Sequence, residues 1–411
     1  MNQSREHFRE FGPHSRHKHL ILKHYFDAWG HKLGMREGAG NTILYVDACA
    51  GRGIDDLGNY GSPLIAAREA AVTQSNVGMR RATPFRIQVI AIEFNRAHHK
   101  ALTELLAPFG DSVRVLSGML DDHLAGIEHE FPQTPALYFI DPFGLEPLQA
   151  ALIQRALAGD RHEVLLLFAD QAALRHFGAI AAEETRAERR HREAAAAHRD
   201  ELFLFPEVED KRLTTLAVAA DASRKSLDIT HENAVRIMNA AFGDEDWLPV
   251  IEATAQPERR TAFLRLYSER LSSWGASHVL QIPIVDESGT HAYTLIHASK
   301  SPTAHTAMKA AVGYALANSP LPKDVVEYMK DLARCDLASV EARILTHFSS
   351  QEVRWTEDRN YKHAPCVKNF ALASTPIFQF ELDALRMRLE RFRKAGRAII
   401  YTFSGAPTDV D

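Results

Sequence analysis

The stretch NTILYVDACAGRG (41–53) decides the fold. Its first half is a short continuous apolar run, the pattern of a strand buried on both faces of a parallel sheet. The run ends in an acidic residue, Asp47, followed by small residues and the turn Gly51-Arg52-Gly53. Glycine is required where a chain turns tightly and a ligand must lie against the strand end. In open α/β sheets that carboxyl end is where ligands bind.

Outward from it, RIQVIAIEF (86–94), ALYFID (136–141) and EVLLLF (163–168) repeat the buried-strand pattern, and VRVLSGMLDDHL (113–124) opens with a weaker one. Helical patterns lie between: PLIAAREAAV (63–72), AHHKALTELLAPF (97–109) and PLQAALIQRALAG (147–159). Ser62 reads as the N-cap of the first of these, with Pro63 in its first turn. The segments ASHVLQIPIVDE (276–287) and HAYTLIHASKS (291–301) predict a hairpin around Ser288-Gly289 that closes the same sheet with antiparallel strands. Such alternation predicts a doubly wound, Rossmann-like α/β sheet.

Residues 170–260 change character and predict a helical insertion, with the charged, alanine-rich RAERRHREAAAAHRDEL (186–202) as a solvated helix. The most linker-like stretch is NSPLPKD (318–324). Beyond it, the helices VVEYMKDLARC, SVEARILTHF and FELDALRMRLERFRKAG (380–396), with the strand-like RAIIYTF (397–403), predict a small winged-helix-like module. The expected domains are therefore 1–317 and 318–411, and the closing SGAPTDVD is expected to fray.

Composition removes whole classes. The 411 residues are 45% hydrophobic and 25% charged, the balance of a globular protein. Forty-eight Lys+Arg against 53 Asp+Glu leave a net charge of −5, so any surface for nucleic acid must come from local clustering. Three cysteines without C-x-x-C spacing argue against a disulfide framework and against structural zinc. No apolar run is long enough to span a bilayer, and MNQSREHFREFGPHSRHKH lacks a signal peptide's apolar core. No membrane association is expected, and the expected location is the cytoplasm.

The motif at 45–53 is neither of the common phosphate cradles. A dinucleotide fingerprint needs glycine at position 56, where Asp56 stands, and no G-K-[ST] follows for a P-loop. An acidic residue inside the turn would repel a pyrophosphate. It suits a ligand with a cationic amino-acid end, which S-adenosyl-L-methionine has. The second strand ends in Glu93, placed to accept both hydroxyls of a ribose; alternatively it caps the helix that Asn95 and Arg96 open. Ala48 and Phe94 flank these two acids, 46 residues apart, and loops at 54–61 and 73–84 are expected to absorb that distance. After the third strand, Asp121 or Asp122 either meets an adenine amino group or opens a helix where the dipole favours acids. Asp121 is the candidate retained.

The fourth strand ends in FIDPFG (139–144). A carboxylate followed by Pro and an aromatic ring at this point can serve methyl transfer to nitrogen. Asp141 and the following carbonyl would accept the hydrogens of a target amine, and the ring of Phe143 would stack on a planar substrate. Asp141, Pro142 and Phe143 are the catalytic candidates; the plain alternative is a strand-ending turn. Methylation at C5 of a pyrimidine does not fit, since Pro142-Phe143 stands where Pro-Cys is needed.

Taken together, the chain resembles a class I S-adenosylmethionine-dependent methyltransferase and, more narrowly, the three-Cys-motif partner (TcmP) family. The resemblance rests on YVDACAGRG, YGSPLIA (60–66), FIDPFG and YTLIHASKSPTAHTAMKAAV (293–312), with the helix HKHLILKHYFDAW (17–29) and the C-terminal end. It spans most of 15–404. It implies S-adenosyl-L-methionine as cofactor, held by Asp47, Ala48, Gly51, Gly53, Glu93, Phe94 and Asp121. It also implies association with a separate three-Cys-motif protein.

Two further readings complete the picture. In RMRLERFRKAGR (386–397), six residues are basic and one is acidic; Arg388, Arg391 and Arg393 are the nucleic-acid candidates. The histidines of HSRHKH (14–19) and His98-His99 form no recognised metal pattern, so no metal is expected; a phosphate or acidic partner suits His14, His17 and His19 equally. The expected function is N-methylation of an amino group of a nucleic acid. The rival is a non-catalytic adaptor that keeps the fold and acts with a three-Cys-motif protein.

Overall fold

In a computed structural model of the chain, the described residues are 10–36, 42–181, 231–255, 258–348, 352–355, 366–375, 377–389 and 400–402. Seven strands form one sheet: β1 (Thr42–Asp47), β2 (Arg86–Glu93), β3 (Val113–Ser117), β4 (Ala136–Ile140), β5 (His162–Phe168), β6 (His278–Val285) and β7 (His291–Ser299). Their order is β3-β2-β1-β4-β5-β7-β6. The first five run parallel, while β7 is antiparallel to both β5 and β6. The order reverses between β1 and β4, which opens a crevice at their carboxyl ends.

The continuous apolar runs exist because both sheet faces are covered. Ile43, Tyr45, Ile87, Val89, Leu137 and Phe139 pack against helix α1 (Pro13–Gly34), helix α2 (Ser62–Gly78) and helix α9 (Pro302–Ala317) through Ile21, Leu22, Phe26, Trp29, Ala66, Met308 and Val312. The alternate residues Leu44, Val46, Ile90, Ile92, Tyr138 and Ile140 are equally buried. The predicted hairpin is present: Asp286 accepts from the backbone of Ser288 and Thr290, and Gly289 adopts φ 79°.

Several boundaries differ from expectation. Ser62 is the first helical residue, and Gly61 occupies the cap position without a side-chain bond. Helix α2 runs on to Gly78, because Thr73 and Val77 are buried against the core; half of the loop expected at 73–84 is thus helix. After it come α3 (Arg96–Leu106), a 3₁₀ turn (Ala107–Ser112), α4 (Leu120–Glu130) and a short α5 (Ala150–Ala156).

The chain divides into two compact units. Residues 143–151 with 169–267 form one, and the remainder forms the other. In the smaller unit, α6 (His231–Phe242), α7 (Trp247–Glu252) and the first part of α8 (Arg259–Ser273) gather Phe242, Trp247, Phe263 and Tyr267 into an aromatic cluster. The predicted helix 186–202 lies outside the described residues.

Past the Pro-rich stretch, α10 (Lys323–Ala333) packs Val325, Val326 and Met329 into the main core. A separate core begins at Val340. It joins α11 (Leu337–His347), α12 (Val367–Ser374) and α13 (Leu382–Leu389) through Ile344, Trp355, Val367 and Leu385. Strands β8 (Glu352–Arg354) and β9 (Ile400–Thr402) pair antiparallel. A 3₁₀ turn, Gln379–Glu381, precedes α13, and residues 390–396 of the predicted last helix and the closing 403–411 lie outside the described residues.

Candidate functional site

The turn after β1 is tied to both neighbours of that strand. Ala48 N–H donates to Phe139 O at 2.8 Å and Ala50 N–H to Ile92 O at 3.0 Å. Gly51 and Gly53 have φ of 62° and 78°, a region open to glycine at little cost. A Cβ on Gly53 would also stand 2.8 Å from Leu102 Cδ1 and Leu105 Cδ2.

Asp47 is fully buried at the root of this turn. Burial pushes its carboxyl up to about 7, against the hydrogen bonds of the Ser62 hydroxyl, the Cys49 backbone N–H and the Tyr45 hydroxyl, and with Asp141 adding repulsion. Tyr45 donates to Oδ2 at 3.3 Å, whereas Oδ1 has no partner among the described residues. A buried carboxylate oxygen without a donor is costly, and a cationic group would satisfy it. Ser62, read from sequence as a cap, instead acts to lower the Asp47 carboxyl.

Glu93 is buried and bound at both oxygens: Gly51 N–H donates to Oε2 and Asn95 N–H to Oε1, each at 2.7 Å. Asn95 itself caps α3, accepting from the N–H groups of Ala97 and His98. The acid at the end of β2 thus braces the glycine turn and the following helix at once. Each of its oxygens keeps a second lone pair for a ligand hydroxyl.

The remaining donor candidates are more open. Ala48 is buried, Phe94 is 64% exposed, and Asp121 lies exposed in the first turn of α4. Asp122 closes that helix start by accepting from Met119 N–H at 2.8 Å. Of the two acids, Asp122 is the one the helix uses.

At the end of β4, Asp141 is paired with the ammonium of Lys18 from α1. The Lys18 side chain is 5% exposed and that of Asp141 20%. Lys18 also lies 5.8 Å from the ring centre of Tyr293, at the start of β7, whose buried hydroxyl has no partner among the described residues. Burial and Asp141 hold the Tyr293 phenol well above its ordinary range, and burial and Lys18 hold His14 below its own. Pro142 is buried; Phe143, which begins the second unit, is 74% exposed. Burial together with Asp141, Asp47 and Glu93 drives the Cys49 thiol far upward, so three strand-end carboxylates converge around it and keep it neutral.

Lys18 and Tyr293 were not among the residues singled out from sequence. Lys18 sits in a histidine-rich stretch with no motif, and its partner lies 123 residues away. Of the basic residues near the C-terminus, Arg388 is bound to the buried carboxylate of Glu341 at 2.9 Å, while Arg391 and Arg393 lie outside the described residues. Among the described residues, no group of three His, Cys, Asp or Glu side chains could hold a metal ion, and no helix is long and apolar enough to cross a membrane. No protein-family model matches the chain, and no curated protein matches it.

Proposed function

We propose that the protein is an S-adenosyl-L-methionine-dependent methyltransferase acting on an amino group of a nucleic acid. The observation that carries this reading is the turn at 47–53, with Asp47 Oδ1, which has no partner among the described residues, beside two left-handed glycines at the β1/β4 switch point. The sheet order, with only the strand beside β5 reversed, is also that of the methyltransferase class the sequence resembles.

S-adenosyl-L-methionine would supply a methyl group that already carries its leaving group. Asp47 would hold its cationic amino group, the Gly51–Gly53 backbone would lie along it, and Glu93 would accept from its ribose. Asp141 would accept the hydrogens of the target amine once Lys18 has released it, leaving the nitrogen lone pair free. Pro142 fixes the backbone beneath, Phe143 serves as the stacking ring, and the C-terminal helices act as a winged-helix-like module in the cytoplasm.

One observation favours the second reading, a non-catalytic adaptor for a three-Cys-motif protein: the carboxylate assigned to the acceptor is already neutralised by Lys18. Calorimetric titration of S-adenosyl-L-methionine separates the two. Micromolar binding by the wild type, lost in an Asp47→Ala, Glu93→Ala double variant that still melts cooperatively, supports the enzyme. A well-folded wild type that binds nothing leaves the adaptor.

A further inference from the structure

Helix α1 and the loop after the glycine turn border an open cleft of about 430 Å³. From α1 it receives Arg16, His19 and Lys23, which share one helix face by their spacing. Opposite them are Asn59 and Tyr60, with Asn318 closing one end.

The charge in this cleft is positive because its nearest acids are already engaged. Asp55 is taken by the N–H groups of Phe11, Leu57 and Asn59 and by the Asn59 amide. Asp56 is paired with Arg52, while Glu69 forms a 3.6 Å ion pair with Lys23 itself, which leaves Arg16 as the cation without a counter-charge among the described residues. Arg16 has no side-chain partner among the described residues, although its Nε is buried. Tyr60 is 43% exposed, and the guanidinium of Arg68 lies 5.0 Å from its ring centre. The Arg16 guanidinium, with the Lys23 ammonium further along the helix beside an exposed ring, is the chemistry that receives a phosphate and stacks its base.

The loop is also coupled to the glycine turn. Ile54 and Tyr60 form an isolated antiparallel bridge, and Gly61 N–H donates to Gly53 O at 2.9 Å. Whatever holds Tyr60 therefore holds the turn.

We propose that this cleft binds a nucleotide unit, with its phosphate on Arg16 and Lys23 and its base on Tyr60. The proposal rests on the reading of the acceptor as a nucleic acid, but its test needs neither the methyl donor nor turnover. Failure here leaves the Asp47–Glu93 site untouched, and failure of donor binding leaves the cleft.

The experiment is fluorescence anisotropy with a labelled single strand of about twelve nucleotides, across a salt series. Adenosine monophosphate and inorganic phosphate serve as separate competitors. The expected result is binding that weakens about tenfold in Arg16→Gln and in Tyr60→Leu. The salt slope should fall by about 0.7 for each phosphate contact removed by Arg16→Gln or Lys23→Gln, and stay unchanged in Tyr60→Leu. Competition by adenosine monophosphate, lost in the same variants, supports the proposal with a free nucleotide as the source. Competition by inorganic phosphate equal to that by the nucleotide, and indifferent to Tyr60→Leu, overturns it. So does wild-type affinity and salt slope in all three variants when their melting temperatures match the wild type.

Discussion

The ammonium of Lys18 and the carboxylate of Asp141 form a pair that joins the first helix to the end of the fourth strand. A lysine this buried depends on its counter-charge. Breaking a buried pair from one side leaves an uncompensated ion and costs about 3–5 kcal/mol, an upper figure here because Asp141 reaches solvent. We expect Asp141→Asn to destabilise the protein measurably in urea, and Lys18→Met combined with it to recover most of the loss. Additive losses in that double-mutant cycle would show that the pair contributes nothing.

Asp47 sets a pH dependence of defined sign. Its folded carboxyl titrates near 7 and its unfolded one near 3.8. Between these values the unfolded chain has shed a proton that the folded chain keeps. Stability from this group is full below about pH 4 and declines as pH rises to 7. Thermal melts should show Asp47→Asn flattening that decline and gaining on the wild type at pH 7. Since a cationic ligand needs the ionised form, affinity for S-adenosyl-L-methionine should drop as pH falls from 7 to 5, in the wild type only.

Lys309 runs the other way. It is fully buried and donates to the carbonyls of Leu372 and Thr375 at the end of α12, and burial brings it down to about 8 from 10.5. Below pH 8 both states are protonated and the cost of the buried charge is complete. Between 8 and 10.5 the folded lysine is neutral while the unfolded one still binds a proton, so the cost is relieved. The wild type should therefore gain stability relative to Lys309→Met across that window, by up to about 3 kcal/mol. A constant gap in urea midpoints from pH 7 to 10 would falsify this assignment.

Two glycines in left-handed conformations should respond differently to alanine. Gly53 has φ 78° and close neighbours, whereas Gly58 has φ 84° and no atom within 4 Å of a new Cβ. Gly58→Ala should cost only the backbone strain, about 1–2 kcal/mol. Gly53→Ala should cost more and should also weaken donor binding, because Leu102 and Leu105 must move. Equal melting temperatures for the two variants would argue against the packing account.

What was legible in the sequence was what burial alone dictates. β1, β2, β4 and β5 announce themselves because a strand covered on both faces can carry few residues other than Val, Ile, Leu and aromatics. The hairpin shows because Ser288-Gly289 interrupts two apolar runs. The acids at three strand ends were legible as acids; their partners were not. Glu93 is bound by the backbone N–H of Gly51, and every residue but proline has one, so no residue type marks it. Ser62 precedes a proline as a cap would, yet it is the first helical residue, and it acts on the Asp47 carboxyl that only the fold brings near. Lys18 carries no periodic signal for a contact made across the sheet.

The reversed strand has a consequence for the growing chain. β7 pairs Thr294 with Phe168, so its beginning lies beside the end of β5 and brings Tyr293 to the rim of the site. A nascent chain that has reached residue 168 already contains all five parallel strands, yet β5 is then a bare edge open to wrong pairing. The rim is finished only when the hairpin at 278–299 has been synthesised and has folded back. The parallel part of the sheet is thus complete in sequence before the insertion, while the last two strands and the rim of the site wait on sequence that follows it.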